Sequence, residues 1–129
     1  MKILVINGHP DKESYCQAIF QTIVETIDSN RHELKVISLN EEDFDPVLRY
    51  GYRKRMEEDS FIRRSQELIQ WAEHFIFVYP IWWSSMPSLM KGWIDRVFTP
   101  GIAYSANDQG SFIWNYLRGK QFKKLLKGK

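Results

Sequence analysis

The sequence contains a single cysteine, Cys16, which excludes an internal disulfide and is typical of a reducing compartment such as the cytoplasm. No apolar run approaches the roughly 18 residues that a membrane-spanning helix needs. The apolar stretch in MKILVINGHP is too short for a signal peptide and is typical of a strand instead. We therefore expect a cytoplasmic protein that does not insert into membranes.

Several catalytic signatures are also missing. The sequence contains no HExxH, CxxC, GxSxG, GxGxxG or GxxxxGK[ST] motif. His32 and His74 are expected at the starts of strands, away from the edge where ligands bind. Asp95 and Arg96 fall late in a predicted helix and are expected to be surface or interface charges. A metal centre and a serine hydrolase are therefore disfavoured.

Charge is unevenly distributed along the chain. The net charge is +2, yet residues 118–129 carry six basic residues and no acidic ones, which leaves the remainder net acidic. A solvated, amphipathic end segment explains this best, and binding of nucleic acid through the tail is the weaker alternative because the tail lacks surrounding stacking aromatics. We expect no nucleic-acid partner.

The 129 residues are expected to form one domain in which strands and helices alternate. Ser14 and Ser60 are the expected N-caps of the first two helices, and the first helix should bury Ala18, Ile19, Thr22, Ile23 and Ile27. Alternation of this kind predicts an α/β fold with a parallel sheet between helices. The predicted strands are 2–7, 33–39 and 74–79, and the predicted helices are 14–29, 60–73, 87–98 and a last piece within 112–127.

Two unusual loops should meet at the carboxyl edge of this sheet, where such folds bind ligands. NGHPDKES, residues 7–14, ends at a helix N-terminus, which favours an anion such as phosphate, although an ordinary capped turn has the same features. PIWWSS, residues 80–85, carries two adjacent tryptophans. They could flank a flat conjugated ring, or they could plug the core or a subunit interface.

Three stretches resemble a known family: ILVINGHPDKESYCQAI, LNEEDFDPVL and YPIWWSSMPSLMKGWIDRVFTPGIAY. They are similar to the flavodoxin-like NAD(P)H:quinone oxidoreductases, which include ancillary subunits of glutathione-gated potassium efflux systems. The resemblance covers residues 1–104 and implies a flavodoxin-like, three-layer αβα domain, with 105–129 as an end region of uncertain kind.

The resemblance also implies a binding site, a cofactor and a reaction. A flavin, FMN or FAD, would carry hydride from NAD(P)H to a quinone-like acceptor, and the protein would be a homodimer. From its place at the helix start, Cys16 is expected to be a structural or ligand-lining cysteine rather than a nucleophile. The residues expected near the flavin phosphate are His9, Ser14, Tyr15 and Cys16, and those expected near its ring are Pro80, Ile81, Trp82, Trp83 and Ser84.

The family pattern continues beyond this chain. Members carry two further strands and a loop that holds the flavin ring, so the resemblance implies a chain truncated at its C-terminus. Two other functions therefore stay open. One is a non-catalytic binding or regulatory module, for example ancillary to a transporter. The other is an FMN, azo or nitro reductase.

Overall fold

A computed structural model describes residues 1–103. The expected helix within 112–127 and the end region 105–129 lie outside the described residues. Three strands and three α-helices alternate, and a short 3₁₀ helix, Leu39–Glu41, follows the second strand. The strands are β1 (Lys2–Asn7), β2 (Glu33–Ser38) and β3 (His74–Val78), and the helices are α1 (Tyr15–Thr26), α2 (Ser60–Trp71) and α3 (Ser88–Val97).

The three strands form one parallel sheet in the order β2-β1-β3. Val5 of the central strand pairs with Val36 on one side and Ile76 on the other. Because β1 is covered by neighbours on both sides and by helices on both faces, its residues 3–7 are buried. The predicted α/β class and flavodoxin-like layering are confirmed, and each strand lies within one residue of its expected limits.

Helices cover both faces of the sheet. On one face, Leu4 and Ile6 pack with α2 and α3 in a cluster that includes Ile69 and Trp93. On the other, Ile3 and Val5 pack against α1. Within residues 1–103, no helix has both the length and the apolar character required to cross a membrane.

Helix α1 turns a different face to the sheet from the one predicted. Phe20 is buried, and Cys16 and Val24 pack beside it with Ile23 and Ile27. The predicted inward residues Ala18, Ile19 and Thr22 are exposed instead. Burial of the large Phe20 ring removes more apolar surface than burial of the smaller residues, and this rotates the helix.

The helix ends also differ in detail from the predictions. Ser14 caps α1 as expected, but that helix ends at Thr26 rather than near residue 29. Asp59, not Ser60, caps α2, because its Oδ1 accepts hydrogen bonds from the backbone of Phe61 and Ile62. A carboxylate at this position also suits the positive end of the helix dipole.

Helix α3 is held by a loop from the middle of the chain. A Cβ atom on Gly92 would lie 2.2 Å from the carbonyl oxygen of Pro46, so the loop backbone touches the helix directly. The predicted surface role of Arg96 is wrong, because its side chain is 7% exposed and donates to the carbonyl of Asp45. Since α3 directly follows the segment with the two adjacent tryptophans, residues 80–85, these contacts also help to position that segment.

Candidate functional site

The two loops singled out in the sequence lie side by side at the carboxyl edge of the sheet. The Gly8 N–H donates to the carbonyl of Val78 at 2.8 Å, which extends the β1–β3 pairing into the loops. The His9 and Trp82 rings meet edge-to-face, with centroids 5.3 Å apart. The first loop, residues 8–14, and the second loop, residues 79–87, therefore form one surface.

The first loop is folded by its own polar side chains. The Asp11 N–H donates to Nδ1 of His9 at 2.9 Å, and the Glu13 N–H donates to the Asp11 carboxylate. Ser14 Oγ accepts from the backbone of Gln17 and starts α1. The helix N-terminus with its partial positive charge faces this loop, and Lys12 beside it is exposed. Such an arrangement accepts an anion.

A buried polar network beneath the first loop was not predicted. Asn7 is fully buried, and its Nδ2 donates to Gln17 Oε1 at 2.7 Å and to Ser38 Oγ. Asn40 Nδ2 donates to the carbonyl of His9 and to the same Gln17 oxygen. The sequence does hold a signal, since Asn7 and Ser38 are polar residues that directly follow the apolar pairs Val5–Ile6 and Val36–Ile37 at the ends of their strands.

The second loop contains a two-residue hairpin turn. Trp82 and Ser85 exchange two backbone hydrogen bonds, of 2.8 and 3.0 Å, around Trp83 and Ser84. Both central residues have positive φ, 50° and 60°, as a type I′ turn requires. Non-glycine residues adopt this conformation at a cost in energy, so the surrounding contacts must hold it.

The turn projects the tryptophans outward. Trp83 is fully exposed, and Trp82 is 44% exposed beside His9. The alternative in which both tryptophans plug the core is therefore wrong for this chain. Both tryptophans lie on the same exposed surface because the chain reverses direction at Trp83 and Ser84, so they do not alternate between two faces as neighbours in a strand do.

The remaining predicted residues lie on or beneath the same surface. Tyr15 is 82% exposed at the start of α1, and Ile81 is 67% exposed beside the tryptophans. Ser84 is exposed, and Ser14 and Pro80 are half-buried. Cys16 is half-buried on the face of α1 that packs against the sheet, beside Phe20. Its side chain therefore belongs partly to the core.

Gly8 is required by the packing of α3 against the first loop. A Cβ atom at this position would lie 2.4 Å from the Met90 sulfur and 3.2 Å from the Met90 Cβ. A larger residue would require the Met90 side chain to move and would crowd the Met90 Cβ. Gly8 therefore lets α3 lie close to the start of the first loop.

Other features of residues 1–103 do not compete with this site. No group of three or more His, Cys, Asp or Glu side chains in this range could hold a metal ion. An open cleft of about 790 Å³ lies between residues 48–59, α2 and the end of α3, and it shares no lining residue with the two loops. Its walls mix both charges and lack the exposed tryptophans.

Comparison with known proteins identifies the family. Residues 1–126 match the protein family described as having a flavodoxin-like fold.

The chain belongs to this family.

A ribosyldihydronicotinamide dehydrogenase-like protein of Penicillium crustosum is 28% identical over 88% of this chain and 50% of its own. The protein Smu.1420 from Streptococcus mutans, known from a crystal structure, is 36% identical in sequence to this chain. The match covers 81% of this chain and 57% of that protein, with a TM-score of 0.71. An NAD(P)H:quinone oxidoreductase from Methanothermobacter marburgensis is 27% identical over 81% and 56%, with a TM-score of 0.69. The chain thus spans between 50% and 57% of the length of these proteins.

Proposed function

We propose that the chain is a flavin-dependent NAD(P)H:quinone oxidoreductase whose flavin lies across the two loops. The observation that carries this proposal is the contact between His9 and Trp82, at 5.3 Å. It joins a loop suited to an anion with a loop suited to a flat ring. A flavin mononucleotide has both groups, a phosphate at one end and an isoalloxazine ring at the other.

The first loop fits the phosphate end. The N-terminus of α1 provides backbone N–H groups, and the dipole of the helix favours negative charge there. His9, Lys12 and Ser14 add side-chain donors around it. Gly8 lets the loop backbone lie close to α3, and His9 contacts Trp82 of the second loop.

The second loop fits the ring end. The turn at Trp83 and Ser84 holds one indole fully in solvent and the other partly exposed against His9. Exposed indoles on a constrained turn offer flat apolar faces, and a conjugated ring stacks on such faces favourably. Pro80 restricts the chain before the turn, which limits the entropy lost when a ligand binds.

A bound flavin would supply the hydride transfer between NAD(P)H and a quinone-like acceptor. The residues of this chain bind and orient it and shield one side of the ring from water. The relatives support this reading, since two of those named above are a dehydrogenase-like protein and an NAD(P)H:quinone oxidoreductase. We further propose that the protein is a homodimer, as the family resemblance implies.

The first experiment is the visible absorption spectrum of the purified chain with FMN, with FAD and without either. The expected result is a protein-bound, oxidised flavin spectrum that survives gel filtration. Steady-state oxidation of NADH and NADPH with quinone, azo and nitro acceptors then assigns the donor and acceptor. A colourless protein of correct mass that cannot be reconstituted would contradict the proposal and favour the non-catalytic binding module.

Replacement of Trp83 by alanine tests the ring end separately. Because this side chain is fully exposed, its loss should leave the free energy of unfolding within about 0.5 kcal/mol of the parent value. Flavin affinity should fall about tenfold, as expected for one lost stacking contact. Tyr52→Ala, which removes an exposed aromatic outside both loops, is the matched control and should bind flavin normally.

A further inference from the structure

His9 is held in place by contacts on both sides of its backbone. Its N–H donates to Asn7 Oδ1 at 3.1 Å, and its carbonyl accepts from Asn40 Nδ2 at 3.1 Å. The two asparagines come from different parts of the sheet edge, since Asn7 ends β1 and Asn40 follows β2. The backbone of His9 is therefore held by one neighbour in sequence, Asn7, and by one distant residue, Asn40.

The imidazole of His9 is oriented as well. Its Nδ1 accepts the Asp11 N–H at 2.9 Å, so in the neutral ring the proton is on Nε2. Trp82 packs against the ring at 79° between the two planes and limits its rotation. Nε2 is the remaining polar atom of the side chain and is available as a donor.

Asn40 connects this residue to the rest of the network. Besides the His9 carbonyl, its Nδ2 contacts Gln17 Oε1 at 3.2 Å, and its Oδ1 accepts from Ser38 Oγ at 3.0 Å. Asn40 is half-buried, whereas Asn7 is fully buried in the core. Replacement of Asn40 therefore perturbs His9 without removing a core side chain.

We propose that Asn40 is a positioning residue: it holds His9 so that Nε2–H donates to the phosphate of the bound flavin. This inference rests on the proposed function, because the phosphate is that of the proposed ligand. Asn40 does not touch the ligand itself. It acts through the His9 carbonyl and through Gln17, which ties the start of α1 to the same network.

The test compares two ligands that differ only in the phosphate. Asn40→Ala should weaken FMN binding about tenfold, the effect of losing one charge-assisted hydrogen bond, and should change riboflavin binding less than about twofold. Fluorescence quenching of the free flavin measures both affinities. Asn30→Ala, an exposed asparagine in a turn, is the matched control and should change neither.

Further variants and an NMR measurement separate positioning from a general structural role. His9→Ala should weaken FMN binding as much as Asn40→Ala does. The double variant His9→Ala/Asn40→Ala should bind FMN no more weakly than either single variant. Asn40→Asp, which keeps the acceptor but loses the donor to His9, should behave like Asn40→Ala. In the parent protein, the imidazole nitrogen NMR signals of His9 should show Nε2–H, and Asn40→Ala should alter them.

Two results would overturn the inference: equal weakening of FMN and riboflavin binding, or unchanged FMN affinity together with unchanged His9 signals. Failure of the parent protein to bind either flavin would instead contradict the proposed function. In that case a titration with inorganic phosphate, followed on the His9 signals, decides the inference. A response in the parent that disappears in Asn40→Ala supports it, and an equal response in both, or none in the parent, refutes it.

Discussion

At the scale of single residues, His9 links the two halves of the site. Its ring touches Trp82 of the second loop, and its backbone is bonded to Asn7 and Asn40. The family resemblance implied a ligand role for His9. It did not reveal the contact with Asn40, because this contact depends on the pairing of β2 with β1.

Gly92 illustrates how packing reverses a helix preference. In an exposed helix, glycine-to-alanine stabilises by about 1 kcal/mol. Here the added methyl would collide with the Pro46 carbonyl, 2.2 Å from its position. We expect Gly92→Ala to lower the free energy of unfolding by about 1–3 kcal/mol, the range for overpacking, as measured by urea denaturation.

Ser88→Ala, at an exposed position of the same helix, is the control for Gly92→Ala and should change stability by less than about 0.5 kcal/mol. A stabilised Gly92→Ala protein would show that the loop carrying Pro46 moves away from α3 at little cost. The close contact would then not be what positions the second loop.

At the scale of elements, the start of α2 distinguishes two adjacent candidate caps. Asp59 accepts from two backbone N–H groups, whereas Ser60 is exposed and already helical. Asp59→Ala should therefore lower the free energy of unfolding by about 1 kcal/mol. Ser60→Ala should be nearly neutral in the same thermal or urea melts. An equal loss of stability in Asp59→Ala and Ser60→Ala would contradict the assignment of the cap to Asp59 alone.

The loop before α2 gives the protein a pH-dependent contact. The hydrogen bond from Arg49 holds the pKa of the Asp45 carboxyl below its usual value, with a further lowering by the Val47 N–H. A lowered folded-state pKa means that this contribution is complete above the unfolded pKa of about 3.9 and is lost as pH falls through the folded value. Stability should therefore drop on acidification below about pH 4.

Urea denaturation at pH 5 and at pH 3 measures this loss. Asp45→Asn should reduce the difference in stability between the two pH values, since an amide does not titrate. Asp43→Asn, at an exposed neighbouring position, is the control and should keep more of the difference. The effect is small because the Asp45–Arg49 pair is solvated. If the loss of stability between pH 5 and pH 3 were unchanged in Asp45→Asn, other carboxylates would be its cause.

At the scale of the whole molecule, the sheet order β2-β1-β3 determines where the site forms. The loops after β1 and β3 are more than 60 residues apart in sequence yet adjacent in space, because their strands pair in parallel. A ligand across both loops would bind only the folded state. Its binding therefore stabilises the whole described domain rather than one loop.

This linkage predicts a rise in the thermal unfolding midpoint with FMN. At a free FMN concentration of 100 times its dissociation constant, the stabilisation should be about 2.7 kcal/mol. Adenosine monophosphate, which has a phosphate but no isoalloxazine ring, should shift the midpoint much less at the same concentration. Equal midpoint shifts with FMN and adenosine monophosphate would show that the site recognises only the phosphate. The absence of any shift with FMN would contradict flavin binding.

Local pattern was sufficient for the type and approximate limits of the secondary structure. The segments predicted as strands, 2–7, 33–39 and 74–79, became β1, β2 and β3, and helical spacing placed three helices within a few residues of their observed limits. These features follow from backbone geometry, which acts over a few neighbouring residues. The order of the elements then placed the two loops at one edge, because parallel strands bring their carboxyl ends together.

Only the tertiary structure decided which side chains those elements bury and pair. The buried face of α1, the core position of Arg96 and the Asn7–Asn40 network each depend on groups distant in sequence. Competing faces of a helix differ little in local pattern, so the choice depends on the area that each can bury against the sheet. Buried polar groups find partners in the same way, because only the assembled fold brings donors and acceptors within bonding distance.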